Sequence, residues 1–228
     1  MKKAVILFSG GLDSTVTAAV AKQEGYELYL LTIAYGQRHS VEIACARQLA
    51  DWLEAREHKI FELDLRTFGG SALTADLEVP LGRSDQAMSS GIPVTYVPAR
   101  NTIFLSLALA YAEVLQATTI FFGANIRDYS GYPDCRPEFV QAFTEVARKG
   151  TKCGVNGLEL EILTPLIAMT KAEIIRTGAA LKVPFRLTHS CYAPREDGSV
   201  CGKCDSCQIR REGFAAAGMP DPALTPAP

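Results

Sequence analysis

Two short stretches of this chain carry residue types at spacings that could do chemistry. The first, FSGGLDSTVTAA at residues 8–19, follows the apolar run Ala4, Val5, Ile6 and Leu7. A strand is therefore expected to break into a glycine-rich turn and restart as a helix. Adjacent Gly10 and Gly11 let the backbone approach a ligand and aim N–H groups at it, with the hydroxyls of Ser9 and Ser14 beside them. The helix start adds unpaired N–H groups and the positive end of its dipole, so an anion is the natural occupant, a phosphate before a carboxylate. S-G-G alone often makes a plain strand-to-helix connection; a strand, then S-G-G-x-D-S, then a helix is far more specific. Neither the G-x-x-x-x-G-K-S/T loop of γ-phosphate transfer nor the G-x-G-x-x-G dinucleotide turn fits this spacing. Asp13 either reaches a phosphate-bound Mg²⁺ through water or caps the helix.

The second stretch, HSCYAPREDGSVCGKCDSC, sets Cys191 ahead of Cys201 with nine residues between them, and Cys201, Cys204 and Cys207 follow at C-x2-C-x2-C spacing. Four thiolates in so short a segment are the donor set of a closed zinc site, and Gly202 and Asp205 suit the tight turns between ligands. The same triplet opens the ferredoxin run of iron–sulfur proteins. An upstream fourth cysteine and the lack of a following C-P favour zinc. With four protein ligands no position remains for water, so one structural zinc per chain is expected. It would fix His189 and Ser190 before the cluster, and Arg210 and Arg211 after it. Of the remaining cysteines, Cys45, Cys135 and Cys153, the first falls on a helix stripe and reads as packing.

Two polar motifs lie between these stretches. VPARN at 97–101 puts Arg100 and Asn101 at a loop-to-helix junction, where Asn101 would serve as N-cap and Arg100 as a surface charge if nothing bound there. GANIRDYSGYPDCRPEF at 123–139 follows an apolar strand and gathers Asp128, Asp134, Arg127, Arg136, Tyr129, Tyr132, Ser130 and Cys135. Core packing does not ask for that mixture; a loop facing a site does.

These motifs need a frame. Apolar runs at 4–8, 28–34, 59–63 and 118–122 read as buried strands, and the early ones alternate with helical spacing such as Val41, Cys45, Leu49, Trp52 and Leu53. The expected fold is α/β, a doubly wound parallel sheet with helices on both faces and ligands beyond the carboxyl ends of the strands. Residues 66–95 hold no sustained period and read as a long loop, either a cover over the site or disordered. A helix follows from Asn101, its apolar part 103–115 being too short and too polar for a membrane span. Thr170 and Glu173 have the spacing of a capping box. The expected division is an α/β domain over 1–187, a zinc module over 188–214 packed on it, and a flexible Pro/Ala tail over 215–228.

With 228 residues, 48% hydrophobic and 21% charged, the chain has composition for one substantial core rather than disorder or membrane spans. A net charge of -2 lacks the basic excess of a protein that grips a long nucleic acid. Met1, Lys2 and Lys3 run straight into the first strand without a signal core. A cytoplasmic, reducing location is therefore expected, in which clustered cysteines bind metal rather than pair.

The turn at 8–19 resembles the pyrophosphate loop of the N-type ATP pyrophosphatases. That resemblance implies a sheet of the adenine nucleotide alpha-hydrolase-like type, Mg²⁺ accompanying ATP, and ATP bound by Phe8, Ser9, Gly10, Gly11, Leu12, Asp13, Ser14, Thr15, Val16, Thr17 and Ala18. Attack falls on the α-phosphate, and the loop holds the departing β,γ-pyrophosphate. Taken with VPARN, SGYPDCRPEF and the four cysteines, the chain from about residue 3 to 214 resembles the 7-cyano-7-deazaguanine synthase family of queuosine and archaeosine precursor synthesis. The family reaction converts 7-carboxy-7-deazaguanine, ammonia and ATP into the nitrile with release of AMP and pyrophosphate, and the family suggests a homodimer without a stable nucleic-acid or membrane partner. On this resemblance Asp13, Arg100 and Lys171 take catalytic roles, although Lys171 also reads as a surface lysine beside a cap. Arg100, Asn101, Asp128, Tyr129, Ser130, Tyr132, Asp134 and Arg136 would bind the substrate. Asp128 or Asp134 would accept from the guanine-like edge, Tyr129 or Tyr132 would stack on the ring, and Arg100 or Arg136 would hold the carboxylate. Loss of Asp134 is then expected to remove deazaguanine binding and spare ATP. A tRNA-modifying pyrophosphatase and a zinc-knuckle nucleic-acid-binding module are the rival readings, and both require salt-sensitive tRNA affinity.

Overall fold

Five parallel strands, β1 (Lys2–Leu7), β2 (Tyr26–Ala34), β3 (Glu57–Glu62), β4 (Thr119–Phe121) and β5 (Glu161–Leu163), form one sheet in the order β3-β2-β1-β4-β5. The computed structural model describes residues 2–36, 41–88, 90–125 and 131–223. Helices α1 (Leu12–Gln23), α2 (Val41–Trp52), the short α3 (Asp85–Met88), α4 (Arg100–Leu115), α5 (Pro137–Gly150), the short α6 (Lys152–Val155), α7 (Lys171–Ala180) and α8 (Asp205–Ala217) complete it.

Alternation along β1 explains the two layers. Val5 and Leu7 face a core shared with Tyr29, Leu31, Leu105, Leu109 and Phe143, while Ala4 and Ile6 face one shared with Val16, Leu49, Ile174, Ile175 and Phe214. Helices α4 and α5 therefore cover one face, and α1, α2, α7 and α8 the other. A strand buried on both sides must be apolar at every step, which is why β1 is legible as an unbroken run. The expected strand at 59–63 begins two residues earlier, at Glu57, because β3 is an edge strand and its polar start meets water; Phe61 is 44% exposed. In β5 there are only three residues, too few for a pattern.

Strand order reverses between β1 and β4, so the crevice beyond their carboxyl ends is the topological switch point where open α/β sheets bind ligands. Both motif-bearing loops leave from there. The capping box forms as expected: Thr170 Oγ1 accepts from the Glu173 N–H and the Glu173 carboxylate accepts from the Thr170 N–H at 2.7 Å.

Two expectations require correction. Residues 66–95 are not disordered where described: Ser71 and Ala72 are fully buried, and the Ala72 N–H donates to Val94 O. The segment is also fastened to the four-cysteine region by a bridge between Leu81 and Cys204, a Gly82 N–H to Lys203 O bond of 2.8 Å, and an Arg83–Asp205 ion pair. Nor is the tail free from residue 215. Helix α8 runs to Ala217, and Asp221 is buried against Arg210. Among the described residues no helix is long and apolar enough to cross a membrane.

Candidate active site

At the end of β1 the chain enters the Gly10 turn with φ 76°, and a side chain there would strike the backbone of α2, 2.7 Å from Ala46 N and 2.9 Å from Glu42 O. Glycine is therefore required twice over, by conformation and by space. Serine hydroxyls brace the turn: Ser9 N–H donates to Ser14 Oγ at 3.2 Å, Gly11 N–H to Ser9 Oγ at 3.2 Å, and Leu12 N–H to Ser190 Oγ at 3.3 Å. The turn thus gathers N–H and O–H groups in a cradle at the start of α1, where anions bind, and a phosphate would take the place of the serine oxygens that now accept from the N–H groups. Behind it, Thr32 Oγ1 donates to Phe8 O at 2.6 Å and so accepts from His58 Nε2 at 2.8 Å, an arrangement that ties the first residue of the turn to β2 and β3.

A cavity of about 320 Å³ opens over this cradle and holds Phe8, Ser9, Gly11, Leu12, Asp13 and Ser14 on its wall. The remaining residues expected at the nucleotide lie elsewhere. Gly10 sits beneath the turn, Thr15 Oγ1 is spent on Gly11 O at 2.8 Å, and Thr15, Val16, Thr17 and Ala18 are buried in α1. Asp13 does not cap α1, whose N-cap is Gly11. Its carboxylate meets Lys171 Nζ at 2.8 and 2.9 Å. Lys171 opens α7, and its stem lies against Gly213 of α8, where an added Cβ would collide with it. The lysine is thus a fixed wall residue, only 13% exposed, and not a surface charge.

Another part of the wall comes from VPARN and YPDC. Ala99 adopts φ 53° and turns the chain into α4, so Asn101 lies inside the first turn rather than capping it. Its N–H donates to Asp134 Oδ2 at 3.0 Å, and its amide donates to Asp134 O and Cys135 Sγ. Asp134 is accordingly a buried acceptor at the start of α4, and its side chain is not on the cavity wall. Arg100, Asn101, Tyr132 and Cys135 are. The Arg100 guanidinium stands 5.7 Å from the Tyr35 ring and 5.9 Å from the Phe104 ring, a cation held between aromatic faces. Tyr132 is fixed by its hydroxyl, 3.0 Å from Thr95 Oγ1, and by Tyr96. Burial pushes the Cys135 thiol up to about 12, which removes it from consideration as a nucleophile near neutrality. Arg136 precedes α5 and is exposed, away from the wall. Asp128, Tyr129 and Ser130 lie outside the described residues.

His189 and Ser190, expected to be fixed by the four-cysteine region, line the cavity, as do residues that sequence reasoning passed over: Thr32, Ile33, Tyr35, Glu42, Leu73, Asn125 and Tyr192. Asn125 had a signal, since it stands in the singled-out loop after β4; its amide donates to Leu166 O and Met169 O and sets the entry to α7. The others arrive from β2, α2, the 66–95 segment and the cysteine region, with no local pattern to mark them.

The four cysteine sulfurs lie within 4.8 Å of one another, Cys191 to Cys204 at 4.0 Å and Cys201 to Cys207 at 3.9 Å. A tetrahedral ion with metal–sulfur bonds of about 2.3 Å separates its sulfurs by about 3.8 Å, so the four donors are gathered closely enough to hold a thiophilic metal. Backbone N–H groups of Tyr192, Cys201, Lys203 and Cys204 point at these sulfurs at 3.2 to 3.4 Å, support that thiolates require.

A family model described as "Queuosine biosynthesis protein QueC" matches residues 3–218. The chain is 59% identical over 222 residues to a 7-cyano-7-deazaguanine synthase of Desulfatibacillum aliphaticivorans, covering 97% of this chain and 95% of that one. It is 58% identical over 225 residues to the synthase of Syntrophus aciditrophicus, covering 98% and 97%. Among solved structures it is similar in fold to a 4-thiouridine synthetase in complex with RNA and bound ATP, with TM-score 0.54, 17% identity, and coverage of 95% of this chain and 50% of that one.

Proposed function

Because the chain belongs to the family of queuosine biosynthesis proteins QueC, we propose that it is an ATP-dependent ligase that converts 7-carboxy-7-deazaguanine and ammonia into 7-cyano-7-deazaguanine. The observation that carries this reading is one cavity lined by the Ser9–Ser14 turn and Lys171 together with Arg100 and Tyr132. A carboxylate does not form an amide with ammonia in water until its oxygen becomes a leaving group. Attack of that oxygen on the α-phosphate of ATP gives an acyl adenylate and pyrophosphate; ammonia then displaces AMP to give the amide. A second adenylation, on the amide oxygen, lets AMP depart with the oxygen as the nitrile forms. Each round expels one pyrophosphate and one AMP, so the same pocket serves both.

In this reading the cradle of Ser9, Gly11, Leu12 and Ser14 holds the β,γ-phosphates, and Lys171 stabilises the charge that develops as pyrophosphate leaves. Mg²⁺ bound with ATP would supply further neutralisation, with Asp13 the carboxylate beside it. Arg100 holds the substrate carboxylate, with Asn101 beside it, and Tyr132 packs against the ring. The guanine-like edge needs a carboxylate acceptor, for which Glu42 on the wall and Asp128 are the candidates. Cys191, Cys201, Cys204 and Cys207 would hold one Zn²⁺ per chain, whose closed shell makes it structural. The family resemblance supports a cytoplasmic homodimer, and a net charge of -2 fits a small-molecule substrate better than tRNA.

Exchange of labelled pyrophosphate into ATP tests the first half-reaction. It is expected only when 7-carboxy-7-deazaguanine is present, and without any need for ammonia. Exchange without that substrate, or none with it, contradicts the adenylation.

A further inference from the structure

We propose that Asp221, beyond the end of α8, is a positioning residue for the phosphate cradle, acting through Arg210 and the Thr188, His189 and Ser190 segment; the inference rests on the ATP reading above. Arg210 and Asp221 are both buried, with Nε 2.9 Å from Oδ2 and Nη2 3.0 Å from Oδ1. Nη1 donates to Thr188 O at 3.2 Å and to Thr188 Oγ1 at 2.8 Å, and Nη2 donates to Phe185 O at 3.0 Å. These bonds occupy all five guanidinium N–H groups. Arg210 therefore belongs to the frame even though it lies on the cavity wall, and no donor remains for a phosphate.

The segment that Arg210 grips lies directly against the cradle. One residue after Thr188, the His189 N–H donates to Gly10 O at 3.1 Å. The next residue, Ser190, accepts from the Leu12 N–H at 3.3 Å. A side chain on Gly11 would sit 3.3 Å from His189 O, so the two backbones run in contact. An N–H cradle stabilises developing charge only if its dipoles already point at the right place, within a few tenths of an ångström. The Arg210 fork supplies that fixity from behind. Asp221 keeps the fork in place, because a buried guanidinium without its counter-charge would turn toward water or toward the phosphates.

ATP binding measured by calorimetry, with the KM for 7-carboxy-7-deazaguanine measured beside it, tests this on the full chain. Asp221→Asn keeps the shape and removes the charge. The double variant Arg210→Met with Asp221→Leu removes both charges at similar volume, a change that buried pairs often tolerate. In both, ATP affinity is expected to fall about tenfold or more, with the KM for the carboxylate changed less than about twofold and four-cysteine metal content unchanged. Unaltered ATP affinity, or equal loss of both ligands, overturns the proposal. If the parent chain itself fails to bind ATP, the underlying reading falls and this proposal falls with it.

Discussion

In the proposed reading, Lys171 is the side chain on which the chemistry at the phosphates turns. It is held by both oxygens of Asp13 on one side and by the flat back of Gly213 on the other. Lys171→Met keeps the stem and removes the charge. It is expected to lower kcat by about 10²–10³-fold, the usual loss when one transition-state donor is deleted, with little change in the KM for the deazaguanine carboxylate; initial rates check both. Cys135 makes the opposite kind of prediction. Its thiol is pushed up to about 12 by burial, with Asp134 adding to the effect. Alkylating reagents at pH 8 should therefore leave Cys135 unmodified in the folded protein and label it after denaturation, as read by peptide mass. The raised pKa also sets a sign: its contribution to stability is complete below the ordinary thiol value and is lost as pH rises from about 9 towards 12.

At the scale of elements, the site depends on where α1 and α4 begin. Gly10→Ala forces a side chain into the α2 backbone at a positive φ, a strain of at least about 1–2 kcal/mol. Loss of ATP binding ahead of loss of fold is the expected result, checked by calorimetry and melting. Asp134→Ala removes the buried acceptor of the Asn101 N–H, which should cost about 0.5–2 kcal/mol as an end-of-helix contact. Because Arg100 rides on the same first turn, the KM for the carboxylate should rise while ATP affinity holds. The sequence made both starts visible as motifs, S-G-G-x-D-S and V-P-A-R-N, since turns demand particular residues at fixed offsets. It did not separate Asp134 as a ligand from Asp134 as a brace, because either role needs a carboxylate in that loop. Tyr35, Glu42 and Leu73 were silent for a different reason: each reaches the cavity from its own element, and only the tertiary fold brings them together.

Across the whole molecule, the four-cysteine region is a junction and not an appendage. Arg83 from the 66–95 segment pairs with Asp205, only 2% exposed, at the start of α8, while Arg210 further along α8 pairs with Asp221. Arg83→Ala removes the guanidinium paired with a buried carboxylate and should cost on the order of 3 kcal/mol, seen as a lower denaturation midpoint. Stripping the metal should raise backbone hydrogen exchange at 81–88 and at 189–192 together; exchange confined to 191–207 would separate the cluster from the site. This coupling explains why 66–95 looked patternless. Part of its order comes from contacts more than a hundred residues away, at Leu81, Gly82 and Arg83, and such contacts leave no local period. The most direct test of the account is to incubate the protein with ATP, Mg²⁺, ammonium and 7-carboxy-7-deazaguanine and read the products by mass. The expected products are 7-cyano-7-deazaguanine and twice as much AMP as nitrile; ADP and phosphate in place of AMP and pyrophosphate, or no nitrile at all, would contradict the proposed function.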